Sequence, residues 1–265
     1  MTKSSKEIHP LLAGVWLTLL LFFGLIPSVL FFAWVERNAT LPILARFLEW
    51  PWLDGRAWPL GLQLLWDLAL FMGFGLGHSL LAQPSIKDRL LAWLPIQTHR
   101  PIYIILTGLS LVLVAGFWQS TGIVIWSAPL PAGTILWVSP LLFWGLFAVG
   151  LSSLRGHGFL RFFGLDSLFL GDQDLQLGAQ GPLVRTGLYR WVRHPLYTFT
   201  LAAFLLAPVM TLDRFWLFAA CLIYLRFGIP HEEKKLITHF GETYIEYQKS
   251  TPALLPAIFA SRRNP

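Results

Sequence analysis

Charge is the scarcest resource in this chain. Only 13% of its 265 residues are Asp, Glu, Lys or Arg, where a soluble domain of this size carries about 25%. With 55% of the residues hydrophobic and a mean hydropathy of +0.59, there is too little polar surface to enclose a core in water, and an integral membrane protein is implied. Cysteine is nearly absent as well. The single Cys221 lies in an apolar run, so neither a disulfide framework nor a cluster of thiolate ligands can form, and a small buried hydrophobe is its plain role. No metal site is expected. Internal repeats and low-complexity tracts are missing too.

Two further absences narrow the reading. Gly73, Gly75 and Gly77 have G-x-G-x-G spacing inside an apolar run with no preceding strand, which excludes a dinucleotide fingerprint; Gly73 and Gly77 instead have the spacing that lets membrane helices approach closely. Lys3 and Lys6 precede an apolar run, as in a signal peptide. That run, about Leu11 to Val35, is longer than a signal core and lacks an A-x-A cleavage site, so it reads as a retained span.

What is present is a succession of apolar runs. An all-α membrane protein of about six transmembrane helices is expected, near 11–35, 60–81, 102–118, 134–154, 196–209 and 215–229, with Pro27 kinking the first. The fifth is short for a full crossing. Between spans three and four lies a short uncharged connection with Pro129 and Pro131. Gln63, Asp67 and His78 share one face of the second span and should meet protein or water, not lipid. After Pro230 an amphipathic interfacial helix is expected over 231–249, with Leu236, Phe240, Tyr244 and Tyr247 on its apolar stripe, lying on the membrane or on the long loop from Arg155 to Arg193. A loop of that length usually binds something. The organisation expected is a four-span half, 1–154, and a cofactor-binding half, 155–265.

The 13 Trp and 21 Phe fit interfacial anchors and lipid-facing surfaces. The net charge of +6 sits in loops flanking the apolar runs, so it reads as an orientation signal and an attraction to anionic lipid, not as a footprint for nucleic acid. Fifteen of the 20 Lys and Arg residues fall in the N-terminus, loops two and four and the C-terminal tail, and four in loops one, three and five. Both termini are therefore expected in the cytoplasm. Nothing in the sequence gives the oligomeric state.

One basic, aromatic stretch stands out, RTGLYRWVRHPLY from Arg185 to Tyr197, followed two apolar runs later by Glu232 and Glu233. Cation and anion are brought to one membrane face. Arg190 and Arg193 can hold a carboxylate bidentately, His194 can donate or accept near neutral pH, and the two glutamates can take an ammonium or a ribose diol. Pro195 keeps His194 out of helical geometry and sets it at the junction of loop and helix. The same residues are also what interfacial anchors at the end of a span look like.

The order RHPLY, two apolar runs, then EEKKLITHFGETYIEYQKSTPALLP resembles the C-terminal signature of the membrane methyltransferases related to isoprenylcysteine carboxyl methyltransferase and phospholipid methyltransferase. The match covers Gly181 to Pro256. GHSLLAQPSIKDRL, from Gly77 to Leu90, is similar to a segment of the NnrU-like proteins and methanethiol S-methyltransferases. The resemblance implies methyl transfer from S-adenosyl-L-methionine to a small or lipophilic acceptor, most simply a thiol. It implies Arg190, Arg193, His194, Tyr197, Glu232 and Glu233 as cofactor-binding residues, Arg193 and His194 as catalytic, and Asp67 and His78 on the acceptor side. Two positions depart from the pattern: Phe199 stands where the family often has Gly, and Ala253 stands where prenylcysteine enzymes tend to have Arg. The second departure turns the reading away from a prenylcysteine carboxyl acceptor.

Two alternatives follow from the same resemblance. The carotene-isomerase relatives of the NnrU group carry a His in each motif, which here makes His78 and His194 candidate ligands of haem b. A non-catalytic accessory membrane protein with this fold is the other.

Overall fold

The computed structural model describes residues 9–36, 53, 55, 57–156, 158–169 and 181–256. Residues 157 and 170–180 of the long loop expected to bind something lie outside them. The described chain is mostly helical, and four helices are long and apolar enough to cross a membrane: Pro10–Glu36, Leu60–Leu81, Ile96–Phe117 and Ala132–Arg155. These match the first four expected spans. Packing divides the chain into two units, one of residues 1–122 with 158–181 and one of 123–157 with 182–265. The division does not follow the 154/155 boundary drawn from the sequence, because the fourth span packs with the C-terminal elements.

The first unit holds α1 (Pro10–Glu36), α2 (Leu60–Leu81), α3 (Pro84–Leu90) and α4 (His99–Phe117). Helix α1 is interrupted by a π-turn at Leu21–Leu25, just ahead of Pro27, whose missing N–H leaves the preceding turn a carbonyl short of a partner. Ser28 Oγ donates to one of the nearby carbonyls, that of Gly24, at 2.8 Å. Here α4 comes closest: a Cβ on Gly108 would stand 2.3 Å from the Gly24 carbonyl oxygen. Among the described residues the close approach expected at Gly73 and Gly77 is not made, since a Cβ on either would meet nothing within 4 Å. Leu20, Tyr103 and Ile104 form the core between α1 and α4, with Leu25, Leu81 and Leu165 against it.

The polar face of α2 is buried as its spacing requires. Asp67 is fully buried and accepts from the Gln119 N–H at 2.8 Å, while Gln63 donates to the Trp58 carbonyl at 2.9 Å. Gln119 in turn accepts from the Gly55 N–H at 2.7 Å. These bonds satisfy chain ends that no lipid could hydrate.

The second unit contains β1 (Val124–Ser127), α5 (Ala132–Ser152), α6 (Pro195–Leu205), β2 (Val209–Thr211), α7 (Leu212–Phe240) and α8 (Glu242–Ser250). The uncharged connection before α5 is not a plain loop. Its Val, Ile and Trp residues form β1, which pairs antiparallel with β2, a pairing that single-strand propensity could not locate. The fifth expected span is an 11-residue helix, about 16 Å long at 1.5 Å per residue, roughly half the hydrocarbon core. Its C-terminal carbonyls are satisfied by Arg214, which donates from Nε to Phe204 O at 3.0 Å and from Nη2 to Ala203 O at 2.7 Å. That cap lets a half-length apolar helix end without exposed backbone.

Helix α6 lies along α5. Phe143 and Phe204 stack with ring centroids 6.2 Å apart, and a Cβ on Gly150 would stand 3.0 Å from the Phe199 Cβ. Pro230 does not end the sixth expected span as the sequence implied. Helix α7 runs through it for 29 residues and stops at Gly241, whose φ of +61° suits a residue without a side chain. The single amphipathic helix expected over 231–249 is therefore two: the end of α7 and the separate α8.

Candidate functional site

His194 holds the N-cap position of α6 in a non-helical conformation, with Pro195 at the first helical position. Proline fits there because its nitrogen has no hydrogen to leave unpaired. The segment ahead of it is gripped by the chain after α8: Arg193 N–H donates to Pro252 O at 2.9 Å, His194 N–H to Ala253 O at 3.0 Å, and Thr198 Oγ1 to Leu254 O at 2.8 Å. The RHP and TPALL stretches, almost 60 residues apart in sequence, are thus backbone partners. Ala253 packs against Leu201, Leu225 and Ile229, so the position has an apolar neighbourhood.

Glu233, on the next turn of α7 after Pro230, is the hub. Its two oxygens receive Arg193 Nε at 2.7 Å and Nη2 at 3.1 Å, His194 Nε2 at 3.0 Å, the Tyr244 hydroxyl at 3.3 Å and Gln248 Nε2 at 2.8 Å. The guanidinium's remaining Nη1 donates to Gln248 O at 3.2 Å and to Thr251 O. Burial alone would raise the Glu233 carboxyl, but the hydrogen bonds from His194 and Arg193, the Arg193 charge and Gln248 hold it down at about 2. It is an anion with every lone pair engaged. The Tyr244 hydroxyl is pushed above its ordinary value by burial and by that anion, and that of Tyr247, which donates to Tyr189 O at 2.6 Å, up to about 12, chiefly by burial.

Glu232 differs from its neighbour in being available. Its side chain is 45% exposed, and one oxygen accepts from the Tyr197 hydroxyl at 2.9 Å. The Tyr197 ring stacks on His194, with centroids 5.4 Å apart, and His194 Nδ1 stands 3.8 Å from the same Glu232 oxygen. Since ionised Glu233 can only accept, Nε2 carries the hydrogen and Nδ1 is the ring atom turned toward Glu232. Arg190 is exposed in the turn Gly187–Arg190.

The structure therefore brings Arg193, His194, Tyr197, Glu232 and Glu233 together, as the spacing of the motifs implied, and sets Arg190 in the turn beside them. It spends Arg193 and Glu233 on each other. The external carboxylate expected on Arg193 is met by Glu233, which leaves Glu232 and Arg190 as the groups with free hydrogen-bonding capacity. Tyr244 and Gln248 are partners that sequence reasoning missed. Their four-residue spacing puts them on one helical face, but Tyr244 falls equally on the apolar stripe of that segment.

Asp67 and His78, expected on the acceptor side, belong to the first unit. Asp67 has its place in the Gln119 network. His78 Nε2 lies 2.7 Å from the Tyr103 hydroxyl and its Nδ1 3.2 Å from Thr107 Oγ1. His78 and His194, the candidate haem ligands, fall in separate units, and the Nε2 of each is hydrogen-bonded, to Tyr103 and to Glu233.

Residues 172–238 match the isoprenylcysteine carboxyl methyltransferase (ICMT) family. Methanethiol S-methyltransferase 2 of Bradyrhizobium diazoefficiens is 31% identical over 77% of both chains. Methanethiol S-methyltransferase of Pseudomonas deceptionensis is 32% identical over 80% of this chain and 78% of its own. Nurim of Rattus norvegicus is 31% identical over 74% of this chain and 79% of its own. No solved structure matches the chain.

Proposed function

Because the chain belongs to the methanethiol S-methyltransferase family of ICMT-like membrane methyltransferases, we propose that it transfers the methyl group of S-adenosyl-L-methionine to a small or lipophilic thiol. The observation that carries this reading is the division of labour between adjacent glutamates: Glu233 is closed on Arg193 and His194, and Glu232 is half exposed beside them. A zwitterionic cofactor asks for one carboxylate and one cation with capacity to spare. Glu232 and Arg190 meet that requirement, for its ammonium or ribose diol and for its carboxylate. Tyr197 holds Glu232 in place through its hydroxyl.

When bound, the cofactor supplies a methyl group on a sulfonium, so the chain has mainly to align and to exclude water. Arg193 and Glu233 lock the His194 ring. Its Nδ1 is the atom able to receive a thiol proton, and a thiol needs less help from a base than a hydroxyl. Ala253, in an apolar setting, leaves no cation at the position where prenylcysteine enzymes tend to have Arg, which favours a thiol over a prenylcysteine carboxylate.

The topology that accompanies this reading has six spans, α6 and the first part of α7 being the fifth and sixth, both termini in the cytoplasm of a bacterial cell, and the Glu232 face on the cytoplasmic side. The test is calorimetric titration of detergent-solubilised protein with S-adenosylhomocysteine, followed by assay with labelled S-adenosylmethionine and either methanethiol or N-acetyl-farnesylcysteine. Binding and thioether formation are expected. Methyl ester formation without thioether overturns the thiol, and absence of binding overturns the methyltransferase site.

A further inference from the structure

Beside the turn that carries Arg190 and the start of α6 lies a groove of about 210 Å³ lined by Leu188, Trp191, Val192, Thr198, Phe199 and Pro256. It has almost no polar surface. Its one hydroxyl is occupied, since Thr198 Oγ1 donates to His194 O at 3.1 Å and to Leu254 O at 2.8 Å. Two of the lining residues, Val192 and Thr198, bracket Arg193 to Tyr197 in sequence, and Thr198 is bonded directly to the His194 carbonyl. The groove is thus built on the same turn as the proposed site. Trp191, which forms part of its wall, is 56% exposed.

We infer that this groove receives the apolar end of the acceptor, so that thiols of several carbons are better acceptors than methanethiol. The inference rests on the thiol methyltransferase reading and names its substrate class. Size makes the case: 210 Å³ is about seven times the roughly 30 Å³ that a water molecule occupies in the liquid, whereas methanethiol has two heavy atoms. Apolar walls with no donor or acceptor to offer reward carbon and nothing else. The chemistry is unchanged by chain length. The acceptor sulfur gains a bond to the methyl carbon, the bond from that carbon to the sulfonium breaks with its electron pair left on the departing sulfur, and the thiol proton passes to His194 Nδ1.

The experiment measures kcat/KM for a series from methanethiol to octanethiol, in the wild type and in Leu188→Trp, which fills the groove. Binding of S-adenosylhomocysteine is measured in both proteins and reports whether the variant is folded. In the wild type, kcat/KM should rise by about two- to fourfold per methylene, the upper figure being the full value of a buried CH₂, until the groove is filled. In Leu188→Trp the rise should flatten. Partition of long thiols into detergent raises both proteins alike, so only the difference in slope supports the groove. Methylation of methanethiol with no rise along the series overturns the inference and leaves the thiol methyltransferase standing. Weakened S-adenosylhomocysteine binding in Leu188→Trp with an unchanged slope assigns the groove to the cofactor and also overturns it. If the protein binds S-adenosylhomocysteine and methylates no thiol, the thiol reading and this inference fail together. Should Leu188→Trp not fold, Trp191→Ala, which removes a wall, is expected to lower the slope in the same way, and an unchanged slope there overturns the inference.

Discussion

Arg193 and Glu233 face each other as a two-pronged ion pair, Nε to Oε1 at 2.7 Å and Nη2 to Oε2 at 3.1 Å, with both side chains about nine-tenths buried. Forty residues separate them in sequence. The pair ties the loop before α6 to α7 and, through Gln248 and Thr251, to the end of α8. Geometry of this kind makes each partner costly to remove, because the other is left as a buried charge.

Glu233→Gln and Glu232→Gln should therefore fail differently. Loss of the Glu233 charge is expected to cost about 3 to 5 kcal/mol of stability, the range for breaking a buried pair, and to appear as a lowered Tm. Glu232→Gln should leave Tm near the wild-type value and weaken S-adenosylhomocysteine binding by about 1.5 to 3 kcal/mol, the scale of a charge-assisted hydrogen bond. Equal effects of the two variants on Tm and on binding would refute the division of labour.

Acid should act through the same residue. The Glu233 carboxyl lies at about 2 in the folded protein against an ordinary value of 4.5. Between those pH values the unfolded chain takes up a proton that the folded chain does not. Stability present above about pH 4.5 is thus lost as pH falls toward about 2, an amount on the order of 3 kcal/mol. Denaturation followed against pH should show this loss in the wild type and not in Glu233→Gln.

Gln248 and Tyr244 support Glu233 unequally. Gln248→Ala removes a 2.8 Å bond to the carboxylate and should cost about 1.5 to 3 kcal/mol, whereas Tyr244→Phe removes a 3.3 Å bond and should cost about 0.5 to 1.5 kcal/mol. Thermal unfolding of the two variants gives the order. A larger loss in Tyr244→Phe would contradict the geometry.

Gly150 and Phe199 should be coupled. Gly150→Ala places a Cβ 3.0 Å from the Phe199 Cβ, closer than ordinary contact, and overpacking of this sort costs about 1 to 3 kcal/mol. Phe199→Gly, which restores the residue often found in the family, is expected to relieve part of that cost. A double-mutant cycle by thermal unfolding should show a favourable coupling of about 0.5 kcal/mol or more, and strict additivity would count against the contact.

Topology can be read with single cysteines in a Cys221→Ser background. Thr186→Cys is at an exposed site in the loop before α6 and Ser127→Cys at an exposed site in β1. An impermeant thiol reagent added to intact cells should modify Ser127→Cys and reach Thr186→Cys only after permeabilisation. The reverse pattern inverts the orientation.

The sequence by itself determined the membrane class, the first four spans and the residues that meet at the site. Scarce charge, long apolar runs and the order of RHPLY and EEKK are local properties, and hydropathy needs no neighbour to be read. The polar face of α2 was legible for the same reason, as a periodicity. Only the tertiary structure decided what each charge is used for. Arg193 and Glu233 both looked able to hold a ligand, and a contact across 40 residues turned them on each other and left Glu232 open. Tyr244 has the same spacing whether its hydroxyl meets lipid headgroups or a buried carboxylate. Pro230 ends a helix by local rules, yet α7 continues through it. The pairing of β1 with β2, the cap of Arg214 on α6 and the approach at Gly24 and Gly108 are likewise relations between distant segments, and composition and spacing within one segment carry no record of which partner it will meet.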